Sequence, residues 1–384
     1  MPRLRTNCET SEDLKERTRK VFAQSPLLSF VPLMEEIISS IACTTDASGN
    51  RGLAAVARLI DYYERLFFSG FGTRFSVDAW LSQNICKQWS TPVRSVPCQI
   101  IPIYGNQWAY SLLPSPWDTS RPISIYAVCF PGRSEISDVN LLDYPWLFHE
   151  LGHHLLARAD AGFAARFNQH LAGFVKTVAR KATADSPSLR ARSFDTAAKV
   201  RELWTPRSNT CDWAHELAAD AIALWTCGPS FLTAMEHALE REKIQPYEVS
   251  ESHPPYGLRM RTLIDLAENL EWGSHSSQLK ATLYQWQTGN LAFDSNEYSA
   301  IAEISLAEEC CSQIVRTCRT LDLPQCTPDT LNAVQQKIVA GQDLDSAAEL
   351  ILAAWCVHQT TPSASQVWES EALARLAKQL NSDT

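Results

Sequence analysis

Residues His149-Glu150-Leu151-Gly152-His153 place two imidazoles four positions apart with a carboxylate beside the first, and this spacing restricts the fold more than any other feature. On an α-helix, side chains at i and i+4 share a face, so both rings point at one spot where a zinc ion fits. Glu150 then lies next to the metal's open position, placed to take a proton from a water attacking a carbonyl. The flanks suit this reading. Ile123 to Phe130 has the apolar, β-branched texture of a strand, Pro131-Gly132 breaks it, and a helix is expected to begin near Pro145, where proline suits the first turn. Leu147, Leu151 and Leu155 share that helix, so it should be largely buried, and buried histidines need partners. A strand before such a helix can hold an extended substrate across the metal.

A catalytic zinc takes three protein ligands and leaves one position to water. The extension H-E-x-x-H-x-x-G-x-x-H is excluded, because Leu156 and Ala159 stand where its Gly and His would be. The third ligand must therefore come from another element. Asp212 to Trp225 is a second strongly helical run, ended by Gly228-Pro229, and within it Glu216 and Asp220 share a face. Flanked by Leu217, Ala218, Ala219, Ala221 and Ile222, these carboxylates would be costly to bury alone. Glu216 as a metal ligand and Asp220 as acceptor from the outer nitrogen of a liganding His would remove that cost.

A third element follows: Ser252-His253-Pro254-Pro255-Tyr256-Gly257-Leu258-Arg259. With H-E-L-G-H at 149–153 and E-L-A-A-D at 216–220, the chain resembles the gluzincin metallopeptidases, and in particular the CAAX prenyl endopeptidase and heat-shock membrane protease family. The likeness covers about residues 120 to 265. It implies a zincin-like core and zinc on His149, His153 and Glu216. It also implies Glu150 as general base and acid, Asp220 in support, and His253 and Arg259 near the reacting carbonyl. Physical chemistry bears on the same segment. Peptide hydrolysis develops an oxyanion that a cationic or hydrogen-bonding group should face. Two prolines restrict the backbone after His253. Arg259 could instead grip a carboxylate, either Glu216 or one on the substrate, and Tyr256 is a rival oxyanion donor.

Well-known members of that family are membrane proteins, yet no stretch here reaches ~18 consecutive apolar residues; Glu35-Glu36 interrupts the run that starts at Phe30. The N-terminus carries Arg3, Arg5, Glu9, Glu12, Asp13 and Lys15 and lacks the apolar core of a signal peptide. A soluble, cytoplasmic protein is expected, with its 12 cysteines reduced. Cys310, Cys311, Cys318 and Cys326 cluster without a C-x-x-C pair, which gives little ground for a second metal site. A net charge of −9 offers no basic field for nucleic acid, so the expected partner is a protein or peptide substrate.

Composition is that of an ordinary globular chain, 45% hydrophobic and 20% charged. The expected fold is α+β and predominantly α, a zincin-like catalytic core with a small sheet flanked by helical regions. Residues 1–90 form the helical N-terminal region, with Leu53, Val56, Leu59, Ile60, Tyr63 and Leu66 at helical spacing. Residues 91–270 form the metallopeptidase core, with strands over 96–104 and 123–130. Pro114, Pro116 and Pro122 are placed in a loop at the cleft rim, and a polar mobile loop is expected over 182–195. Residues 271–384 form a helical C-terminal region, with helices over 297–321 and 330–357 and core positions at Leu283, Trp286 and Trp355. It is assigned partner binding or substrate positioning. The functional expectation is a zinc-dependent endopeptidase. The alternatives are a catalytically silent zincin-fold scaffold or regulatory protein, and a purely structural zinc. A scaffold has no use for the Glu150 base, and structural zinc normally has four closed ligands.

Overall fold

The computed structural model describes residues 10–22, 31–42, 47–68, 72–90, 100–105, 109–113, 125–131, 140–158, 161–181, 187–206, 212–241, 245–288, 302 and 304–382. Helices dominate these residues. They are α1 (Ser11–Phe22), α2 (Val31–Ala42), α3 (Ala47–Phe68), α4 (Gly72–Ser90), α5 (Pro145–Arg158), α6 (Ala161–Lys181), α7 (Pro187–Trp204) and α8 (Trp213–Cys227). There follow α9 (Pro229–Arg241), α10 (Tyr256–Asn269), α11 (Ser277–Thr288), α12 (Ile304–Thr320), α13 (Pro328–Ala340), α14 (Ala347–Thr360) and α15 (Pro362–Ser382). The strands β1 (Ile100–Gly105), β2 (Ala109–Leu113) and β3 (Ile125–Pro131) make one sheet in the order β1-β3-β2. β1 runs parallel to β3, with Ile100 opposite Tyr126, and β2 runs antiparallel to it, with Ala109 opposite Cys129.

The chain packs as two compact units that interleave in sequence. Residues 1–86, 98–140 and 361–384 form the first, and residues 87–97 and 141–360 the second. In the first, Leu14, Phe22, Met34, Ile37, Ile38, Ile41, Val56, Ile60 and Tyr63 close a core between α1, α2 and α3. The Tyr63 hydroxyl donates to Pro102 O at 3.1 Å, and Tyr104 N–H donates to the Tyr62 hydroxyl at 2.9 Å, which ties α3 to β1. The sheet belongs to this unit, whereas the residues of the metal site described below belong to the second. Among the described residues, no helix is long and apolar enough to cross a membrane.

The second unit is organised around α8, where every residue except His215 is buried. Asp212 caps it by accepting the His215 backbone N–H at 3.0 Å, and the helix stops at Gly228. α5 crosses it closely, because Gly152 presents no side chain: a Cβ there would sit 3.3 Å from Ala219 Cα. α12 packs on another side, with Cys310 Sγ donating to Ala214 O at 3.2 Å. Leu147, Leu151 and Leu155 are all buried, as the apolar stripe of α5 requires.

Several elements differ from the sequence expectation. The polar stretch placed in a mobile loop is helical from Pro187 onward, with proline at the first helical position; residues 182–186 of it lie outside the described residues. The helix expected over 330–357 is two helices, because Gly341 adopts a left-handed φ of 62° that ends α13. α12 begins at Ile304, and residues 297–301 of the expected helix lie outside the described residues. Leu283 and Trp286 are only half-buried, while Trp355 is buried and donates to Thr233 Oγ1 at 3.0 Å. β2 went unassigned in sequence. Its five residues are too few for a period of two to stand out. The Pro114, Pro116 and Pro122 segment lies outside the described residues, as does the start of each expected strand.

Candidate metal centre

α5 delivers His149 and His153 to one side of its axis, and α8 delivers Glu216 opposite them. The two Nε2 atoms are 3.2 Å apart. His149 Nε2 is 3.4 Å from Glu216 Oε2, and His153 Nε2 is 3.4 Å from Glu216 Oε1. Donors about 2.0–2.1 Å from a tetrahedral ion are about 3.3–3.4 Å from one another, so the His149–His153 edge and the approach of each imidazole to one Glu216 oxygen are on the scale of a zinc-sized site. Among the described residues, this is the one group of three or more His, Cys, Asp or Glu side chains that can hold a metal ion.

No family model, curated protein or solved structure matches the chain.

The support around these three side chains decides how their lone pairs point. His149 Nδ1 lies 2.8 Å from Asp220 Oδ1, one turn along α8 from Glu216. With its proton on Nδ1, toward that carboxylate, His149 turns Nε2 toward the Glu216 oxygen, where a second proton or a metal ion can sit. Arg259 from α10 closes the far side. Its Nε donates to Asp220 Oδ2 at 2.8 Å and its Nη2 to Asp220 Oδ1 at 2.6 Å. The guanidinium is buried and stacks at 5.5 Å from the Trp146 ring and 5.6 Å from the Tyr256 ring. Trp146 also meets His149 edge-on at 5.4 Å, and Phe231 stacks on the same imidazole.

Electrostatics agree with a cation-seeking site. Burial opposes protonation of His149, yet hydrogen bonds and charge from Asp220 and Glu216 outweigh it and raise its pKa to about 10. For His153, burial dominates and lowers the pKa to about 3. Burial would raise the Glu216 pKa, but His153, His149 and Arg259 hold it well below the ordinary carboxylate range. Asp220 is likewise held down by Arg259 against its burial. Glu216 and Asp220 are thus two carboxylates set against one guanidinium, and Glu150 is a further buried acid, so the site is short of positive charge. A proton on His149 supplies that charge, and a metal ion can replace it.

Glu150 is buried on α5 and lies between His149 and His153 in sequence. His253 lies on the loop before α10 with an exposed side chain and Nε2 3.8 Å from Glu216 Oε1. Arg259 grips neither Glu216 nor an open face; its fork is closed on Asp220. Three further residues around the site were not read from sequence: His215, Trp146 and Phe231. His215 accompanies the site through Asp212, whose Oδ2 is 2.7 Å from its Nδ1. Trp146 and Phe231 wall in His149. An aspartate three residues before His215 at a helix start signals the first contact, but the aromatic walls have no sequence signature. Cys310, Cys311, Cys318 and Cys326 are buried, and they form no second metal group among the described residues.

Proposed function

We propose that this protein is a zinc-dependent endopeptidase of gluzincin type, with His149, His153 and Glu216 as metal ligands and Glu150 as general base. The observation that carries the reading is the convergence of His149, His153 and Glu216 from two buried helices, each imidazole 3.4 Å from a Glu216 oxygen, with Glu150 next to the first histidine in sequence. The order of the three motifs, and the support of His149 by the aspartate of E-x-x-x-D, favour the resemblance to the CAAX prenyl endopeptidase and heat-shock membrane protease family. A zinc ion held there supplies Lewis acidity toward a peptide carbonyl and makes water a nucleophile near neutral pH.

The chain's own residues do the remaining work. Glu150, only 8% exposed, takes a proton from the attacking water and returns it to the leaving amine. Asp220 keeps the Nδ1 proton on His149, so that Nε2 stays a donor of electrons toward the metal. Arg259 acts behind Asp220, not on the substrate. His253 is the group that reaches the solvent side of Glu216, and it serves the developing oxyanion.

The test is metal analysis together with hydrolysis of a peptide library. The native protein is expected to carry about one zinc per chain. Glu150→Gln should keep that zinc and lose nearly all turnover, because the amide preserves shape but accepts no proton. Cleavage by Glu150→Gln at close to the native rate overturns the mechanism. Zinc binding without any hydrolysis by the native protein would favour the scaffold reading, and full zinc content in Glu216→Ala would remove the third ligand.

A further inference from the structure

We infer that Ser252 is a positioning residue: it fixes the ring of His253 so that its Nε2–H, and not a bare nitrogen, faces the open side of the metal centre. The inference rests on the peptidase reading, since it names what orients the proposed oxyanion donor. Four contacts carry it. Trp213, at the start of the helix that bears Glu216, donates its indole N–H to Ser250 O at 2.9 Å and so ties the loop to α8. Ser252 N–H donates to Ser250 Oγ at 3.2 Å. The two hydroxyl oxygens are 3.2 Å apart, and Ser252 Oγ is 2.8 Å from His253 Nδ1. The adjoining Pro254 and Pro255 are buried, so the loop is anchored on both sides of an exposed imidazole.

The direction of the hydrogen bonds follows from their two ends. At one end Ser250 Oγ accepts the Ser252 N–H and still has its own proton to give to Ser252 Oγ, the direction we assign to this pair. Ser252 then gives its proton to Nδ1, and every hydroxyl is used once. At the other end Nε2 stands 3.8 Å from Glu216 Oε1. A bare Nε2 would turn its lone pair toward a carboxylate, whereas Nε2–H turns the positive end of its dipole toward it. Both ends select the same tautomer. The ring is therefore delivered with its N–H outward over the centre at no reorganisation cost when an oxyanion forms.

Imidazole nitrogen NMR on the protein as purified reads the tautomer without reference to activity. The neutral His253 ring is expected to carry its proton on Nε2, with Nδ1 as a hydrogen-bond acceptor. In Ser252→Ala the Nδ1 signal should move to that of an unbonded acceptor. With a peptide substrate, Ser252→Ala should lower kcat about ten- to a hundredfold, as expected for a misdirected donor, with KM, zinc content and melting temperature unchanged. Ser252→Thr, which keeps the hydroxyl, should restore both the signal and the rate. A proton on Nδ1 in the native protein, native kcat in Ser252→Ala, or a rate loss that tracks zinc or melting temperature would each overturn the assignment. If the native protein cleaves nothing, the peptidase reading falls and the NMR result still decides how Ser252 holds His253.

Discussion

At the scale of single residues, the candidate metal site shows how buried charges are kept by setting them beside partners. Asp220 serves two at once, holding His149 Nδ1 at 2.8 Å while the Arg259 fork holds it. Its pairing with Arg259 explains how a carboxylate 1% exposed stays ionised. Asp220→Asn should therefore weaken zinc affinity by about ten- to a hundredfold, the usual scale for losing an outer partner of a metal-bound histidine. Competition with a chromophoric chelator measures this, and native affinity in the variant would dissociate Asp220 from the site. The candidate ligands and their support were legible in sequence because i, i+4 spacing is a local property of helices. The partner of Arg259 was not, since it lies 39 residues away and only packing brings the two together.

At the scale of elements, the distance between α5 and α8 sets the spacing of the donors, and Gly152 sets that distance. A Cβ at this position meets backbone of Ala219 at 3.3 Å, and backbone yields less readily than the tip of a side chain. Gly152→Val is thus expected to push the helices apart and weaken zinc binding about tenfold or more, by displacing donors held to a fraction of an ångström. Gly173 in α6 is the control, because nothing lies within 4 Å of a Cβ there. Gly173→Ala should be neutral or stabilising by up to about 1 kcal/mol, with unchanged zinc affinity. Equal zinc affinity in the two variants would show that helix separation does not govern the site. Helix existence was readable from period and punctuation, as with Pro145 and Gly228, whereas the break at Gly341 shows that a single left-handed residue can divide one periodic run.

At the scale of the whole molecule, the proposed metal binding would be linked to folding through the proton on His149. Its pKa of about 10 in the metal-free protein lies above the ordinary 6.5, so the protonated form stabilises the fold fully below 6.5 and loses that contribution as pH rises through 10. Zinc must displace this proton. Uptake near neutral pH should release about one proton per chain, and apparent affinity should fall about tenfold for each unit of decreasing pH. Calorimetric titration in buffers of different ionisation enthalpy counts the proton; zero release would mean that His149 is neutral before metal arrives. Zinc at about a hundred times its dissociation constant should also stabilise the second unit by about 2.7 kcal/mol, seen as a melting transition that a chelator lowers. The sequence by itself determined the helical character, the face shared by His149 and His153, and the face shared by Glu216 and Asp220, because each follows from the helical repeat within a few residues. Only the tertiary structure decided that these faces meet, with each imidazole 3.4 Å from a Glu216 oxygen, that Arg259 closes on Asp220, and that the chain interleaves two compact units. Those outcomes depend on which buried surfaces fit one another, and complementarity between distant segments leaves no periodic trace in the chain.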